Sequence, residues 1–195
     1  MSDSQNTTES KPSPPSFWQK SWVKNLLTVM VFFAIYLALR PFFQGDVIEG
    51  KAPEMRLESI TGESIDLQAI NAQGEPVLIH IWATWCPICK FTSDNVESIA
   101  NDYTVISIAT QSGDNQAILD YAEQNQLTPN FIVNDFDGKW MQAFGARAVP
   151  ADFIVNAKGE IEFIEVGFSS ELGLRLRLWW SSLTNSAPTT QEVTP

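Results

Sequence analysis

The stretch PVLIHIW at 76–82 limits the possible folds more than any other feature, because His80 is its only polar side chain. Side chains of a strand alternate between two faces, so a strand that is apolar on both belongs in the middle of a sheet covered on both sides. Directly after it comes a short turn and then Cys86-Pro87-Ile88-Cys89, with a proline where a first helical turn accepts one.

The neighbouring pattern agrees with such a sheet. Segments 55–60 and 64–67 flank Thr61-Gly62-Glu63, a hairpin turn. A helix is predicted over 87–100, with Phe91, Val96, Ile99 and Ala100 at helical spacing, followed by a strand at 103–109 and a helix at 115–123. A short strand follows at 130–134, then two strands at 151–156 and 160–168 joined through Ala157-Lys158-Gly159. A last helix begins at Ser169-Ser170-Glu171 and runs to about Leu183. Strands alternating with helices predict an α/β domain, and the closing hairpin makes its sheet mixed. Trp140, Trp179 and Trp180 are expected in packing roles.

A chain of 195 residues suits one domain with appendages. Its net charge of -11, with few and scattered basic residues, argues against a nucleic-acid partner. Residues 1–17 are rich in Ser, Thr and Pro and read as a disordered cytoplasmic tail, and 184–195 as a second tail. Residues 22–43 surround the apolar run LLTVMVFFAIYLAL; as a helix they would span about 33 Å, enough for a transmembrane anchor. RPFFQGD after the run has no small-x-small cleavage pattern, so the anchor is expected to stay uncleaved. Lys20 and Lys24 before it and Arg40 after it put the N-terminus in the cytoplasm. The expected arrangement is a single pass through a bacterial inner membrane, a linker at 44–51 and a periplasmic domain at 52–183, in a compartment where dithiols can cycle.

The chemistry concentrates in WATWCPICK at 82–90. With only two cysteines, three positions apart, a multi-bridge framework is excluded. A thiolate at a helix N-terminus meets unpaired N–H groups and the positive end of the helix dipole, which lower its pKa from about 8.5 to between about 3.5 and 7.5. Cys86 is therefore expected as an exposed attacking thiol and Cys89 as the resolving one. The pair carries the electrons itself, so no cofactor is expected. A tetrahedral zinc site needs further ligands, and His80 is the only histidine. Two thiolates suffice for Cu(I), so copper binding or copper tolerance is the alternative reading. Trp82 and Trp85 bracket the motif and either cover it with apolar surface or are ordinary core aromatics, and Trp85, Pro87 and Ile88 are expected to face substrate. Lys90 either adds a little positive field at the thiolate or is a solvated helix residue.

With its preceding strand, WATWCPIC resembles the active site of the thioredoxin-like TlpA group, most closely its membrane-anchored ScsD-type protein disulfide oxidoreductases. The resemblance spans roughly 52–183, including FIVNDFDGKWMQAFGARAVPADFIVNAKGEI and GLRLRLWW. It implies a thioredoxin fold with an added N-terminal β-hairpin, preceded by a transmembrane helix. It also implies a cis peptide at Val149-Pro150 beside the dithiol, where Val149 would pair with an extended substrate chain. Two departures from the group's pattern stand out: Ala151-Asp152 is found where many relatives carry Thr after the cis-proline loop, and Thr92 where many reductases carry an acid. His80 occupies the place of a buried acid in thioredoxin, so it is either a proton relay for Cys89 or a hydrogen-bonded core residue. The implied activity is disulfide exchange with extracytoplasmic thiol or disulfide proteins, in either direction, coupled to a membrane redox donor or acceptor.

Overall fold

The computed structural model describes residues 21–44, 47–48 and 50–184. Tail 1–17 lies outside them, as does 184–195 apart from Thr184. The chain divides into two units, Met1–Pro41 and Phe42–Pro195. In the first, helix α1 (Ser21–Gln44) begins, covering the 22–43 segment. Its side chains from Leu26 to Tyr36 include exposed Leu27, Met30, Phe32, Phe33 and Tyr36. Among the described residues no helix is long and apolar enough to cross a membrane.

The second unit is built on a six-stranded mixed sheet. In chain order its elements are β1 (Gly50–Lys51), β2 (Arg56–Glu58), β3 (Ser64–Asp66), α2 (Leu67–Asn71), β4 (Val77–Trp82), α3 (Pro87–Ala100), β5 (Thr104–Thr110) and α4 (Asn115–Gln124). After a 3-10 turn at Pro129–Phe131 come β6 (Ile132–Asp135), α5 (Lys139–Ala143), β7 (Ala151–Val155), β8 (Glu160–Val166) and α6 (Glu171–Thr184). The strand order is β1-β8-β7-β4-β5-β6, and β2 with β3 forms a separate hairpin. β4 runs parallel to β5 and antiparallel to β7.

All six residues of β4 are buried, as its apolar run requires. Val77, Ile79 and Ile81 face a core with Met55, Leu67, Phe144 and Phe153. On the opposite face, Leu78 packs with Val96 and Ile99 of α3 and Leu174 and Leu178 of α6. The period-2 alternation of the strand thus supplies two cores at once.

Elements absent from the sequence reading are short and depend on capping carboxylates. α2 starts where Asp66 Oδ1 accepts from the N–H groups of Gln68 and Ala69. α5 starts after Gly138, whose φ of +74° suits glycine, and Asp135 accepts from Trp140 N at 2.9 Å and Met141 N at 3.0 Å. Gly50 and Lys51, within the segment expected as a linker, pair with Ile161 and Glu160 of β8.

Two helix faces differ from expectation. In α3 the buried stripe is Cys89, Thr92, Val96 and Ile99, while Phe91 is 74% exposed. Placing Cys89 against the sheet turns Phe91, two positions on, to solvent. In α6 the buried residues are Leu174, Leu178 and Ser181, so Trp179 and Trp180 stand half exposed; only Trp140 takes the packing role expected of all three. α6 is tied to α3 by Arg175, which donates to Glu171 and Asp102 at 2.7 Å each and to the Ser98 carbonyl at 2.9 Å. The bond from Arg175 holds the Glu171 carboxyl below its usual range.

Phe153 is fully buried on β7 with its ring centroid 4.8 Å from that of Phe144. Phe153→Ala is expected to lower unfolding free energy by about 3–5 kcal/mol, read from the urea midpoint of the domain; a loss below about 1 kcal/mol would contradict this packing.

Candidate active site

α3 begins at the C-terminal end of β4 after the turn Ala83-Thr84-Trp85, which is held from two sides. Thr84 N donates to Ser112 Oγ at 3.0 Å, and Ser112 Oγ donates to the Thr110 carbonyl at the end of β5. Cys86 N donates to the Ala83 carbonyl. Cys86 is thereby the N-cap of α3, with Pro87 in its first turn.

Cys86 and Cys89 form a disulfide with a Cα–Cα distance of 5.3 Å. Cys86 Sγ accepts a hydrogen bond from Cys89 N at 3.2 Å, the kind of donor that stabilises a thiolate once the bond is reduced. On its other side, the same sulfur lies 3.6 Å from the Val149 carbonyl oxygen. The Val149-Pro150 peptide is cis, and β7 begins at the next residue.

Both cysteines are buried, Cys86 at 5% exposure and Cys89 at 2%. The expectation of an exposed Cys86 is corrected: the cap position sets its sulfur between the helix start and the Val149 carbonyl. What stands outside is Trp85, Pro87 and Ile88. Trp85, 59% exposed, donates its indole N–H to the Gln111 carbonyl at 3.1 Å. The two tryptophans therefore divide: Trp82 is buried in one cluster with both cysteines, donates to Ser107 Oγ at 2.7 Å and packs on Tyr121. Burial raises the Tyr121 phenol above its usual range. Lys90 is exposed on α3.

His80 sits deeper on β4, at 3% exposure, with Nδ1 2.6 Å from Asp152 Oδ1 of β7, itself 2% exposed. Sequence reasoning treated Asp152 only as a departure from a family pattern. Its signal was available: one acid inside the apolar strand ADFIV, as His80 is one polar residue inside VLIHIW. Ser112 and Ser107 carry no comparable signal, because each is an ordinary polar residue until the strands meet. Among the described residues no group of three or more His, Cys, Asp or Glu is placed to hold a metal ion.

A dithiol capping the helix that follows the central strand, with a cis-proline loop against its first sulfur, defines a thioredoxin-like redox domain. The chain belongs to the AhpC/TSA family, whose profile matches residues 48–164. It is 27% identical over 164 residues to a thioredoxin-like protein of Haemophilus influenzae, covering 83% of this chain and 96% of that one. To sporulation thiol-disulfide oxidoreductase A of Bacillus subtilis it is 28% identical, covering 74% and 90%. The crystal structure of StoA from Bacillus subtilis superposes with a TM-score of 0.55 at 27% identity, over 64% of this chain and 95% of that one. Its relatives are thus named thiol-disulfide oxidoreductases or thioredoxin-like proteins.

After reduction, iodoacetamide is expected to label Cys86 at least about tenfold faster than Cys89 at pH 7, because only the cap sulfur meets the helix N-terminus. Peptide mapping of singly labelled protein reads this; prior labelling of Cys89 would reverse the order of the two thiols.

Proposed function

We propose that this protein exchanges disulfides with extracytoplasmic protein thiols, Cys86 attacking and Cys89 resolving. The observation that carries the reading is Cys86 Sγ held between Cys89 N–H and the Val149 carbonyl, beside the cis peptide. When Cys86 thiolate attacks a client disulfide, a mixed disulfide forms and one client sulfur leaves; Cys89 then attacks Cys86 Sγ and the second client sulfur leaves. The client is reduced by two electrons and the pair is oxidised. The reverse sequence oxidises a client dithiol, and the reduction potential of the pair against its partner selects the direction. Backbone of Val149 and the exposed Trp85, Pro87 and Ile88 form the client-facing rim, Pro150 sets the direction of the loop, and His80 handles the resolving proton.

The finer affinity is with the TlpA group and its ScsD-type members, supported by the WATWCPIC motif and the GLRLRLWW segment in α6. In this reading the domain lies on the periplasmic side of a bacterial inner membrane, served by a membrane redox partner and held by α1. Attachment is supported by apolar side chains exposed on α1 from Leu26 to Tyr36, which water solvates poorly.

Cys89→Ser is expected to accumulate mixed disulfides with client proteins, seen as reducible bands on non-reducing gels, while Cys86→Ser traps none; equal trapping by both variants would remove the assignment. The full chain is expected to stay with membranes after alkaline carbonate extraction, and a soluble product starting near Gln44 would show cleavage instead.

A further inference from the structure

We infer that Asp152 is a positioning residue that fixes the His80 imidazole as the proton acceptor and donor for Cys89, an inference that rests on the disulfide-exchange reading above. β4 and β7 pair with His80 opposite Asp152. On both strands the flanking residues Ile79, Ile81, Ala151 and Phe153 belong to the core of the other face. His80 and Asp152 therefore share the α3 side of the sheet, and they meet at 2.6 Å.

Stability alone gives weak grounds for such a pair. Burying a carboxylate and an imidazole removes both from water, and an apolar pair of similar volume serves stability as well or better. The contact instead decides which nitrogen is engaged and which is left. With Nδ1 engaged by Asp152, Nε2 is the atom left for exchange, and the carboxylate stabilises the ring when it takes a second proton.

His80 lines a small cavity together with Cys89, Trp82, Ser93 and Ser107, about 10 Å³ in volume, on the order of one water-sized sphere. His80 and Cys89 thus border one space, and the proposed proton transfer runs across it. The titratable groups around it are Cys89 and Glu97 from α3, Tyr121 from α4, and His80 from β4 with Asp152 behind it on β7. Both Glu97 oxygens accept from Thr128, and the Tyr121 phenol is held neutral by burial. That leaves His80 as the base beside Cys89 in this cavity.

In the mixed disulfide between Cys86 and a client thiol, the Cys89 S–H proton passes to His80 Nε2. The Cys89 thiolate attacks Cys86 Sγ, an S–S bond forms between them, the bond to the client breaks, and the client leaves as a thiolate. In the opposite direction the imidazolium returns its proton to Cys89 as that sulfur leaves.

The test uses the full chain, reduced and then mixed with oxidised glutathione. Quenched samples read by mass spectrometry give the lifetime of the Cys86–glutathione mixed disulfide from pH 6 to 8. In Asp152→Asn and in His80→Asn this intermediate is expected to live at least about tenfold longer at pH 7 and to decay with a steeper dependence on pH, following the Cys89 thiolate fraction alone, while Cys86 alkylation is unchanged. The double variant is expected to be no slower than His80→Asn alone, since residues acting as a unit are not additive. Wild-type lifetime and profile in Asp152→Asn, or additive effects in the double variant, would overturn the inference. Nitrogen NMR of the wild-type imidazole is the second arm and needs no variant: neutral His80 is expected with its proton on Nδ1, and a proton on Nε2 would overturn the positioning role. A wild-type chain that forms no mixed disulfide at Cys86 would instead refute disulfide exchange itself.

Discussion

The antiparallel register of β4 against β7 determines where every part of the redox site stands. Ile81 lies opposite Ala151 and His80 opposite Asp152. That alignment delivers the residues just before β7, Val149 and Pro150, to the end of β4 where Cys86 caps α3. A slip of one residue would turn Asp152 toward the Phe144–Phe153 core and carry the Val149 carbonyl away from the sulfur. Cross-strand burial on both faces opposes the slip, because each strand residue already fills one of two cores.

The site is a boundary between these cores and solvent. Trp82 packs the inner side of the disulfide and the exposed Trp85, Pro87 and Ile88 mark the outer side. Burial would by itself disfavour a thiolate. The N–H of Cys89 and the helix dipole oppose that effect at Cys86, whereas Cys89 lies one turn inside α3 without that support. One helix thus makes two unlike thiols from identical side chains, and unlike thiols are what an attack-and-resolve sequence requires.

Much of this was legible in the chain because it follows from local rules. The apolar run before Cys86 marked a doubly covered strand, Pro87 marked the helix start, and Ala157-Lys158-Gly159 marked the turn that Asn156 caps through Lys158 N and Glu160 N. Less legible were α2 and α5, each five residues long, since helices of that length lack an apolar period and depend on carboxylates, Asp66 capping α2 and Asp135 accepting from Trp140 N and Met141 N at the start of α5. The orientation of α3 at Phe91 is not legible in the sequence, because helical spacing identifies an apolar stripe without saying which of two neighbouring stripes the sheet will cover.

By itself the sequence determined an α/β domain, the position of the dithiol at a helix start and the absence of further cysteines, all consequences of spacing and side-chain chemistry along a continuous stretch. Only the tertiary structure decided that Cys86 is buried, that Ser112 braces the turn before it, and that His80 finds Asp152 seventy-two positions away. Such contacts arise from strand register and from which helix face meets the sheet. Those are set by the collective packing of two cores, and no local window of residues contains that information.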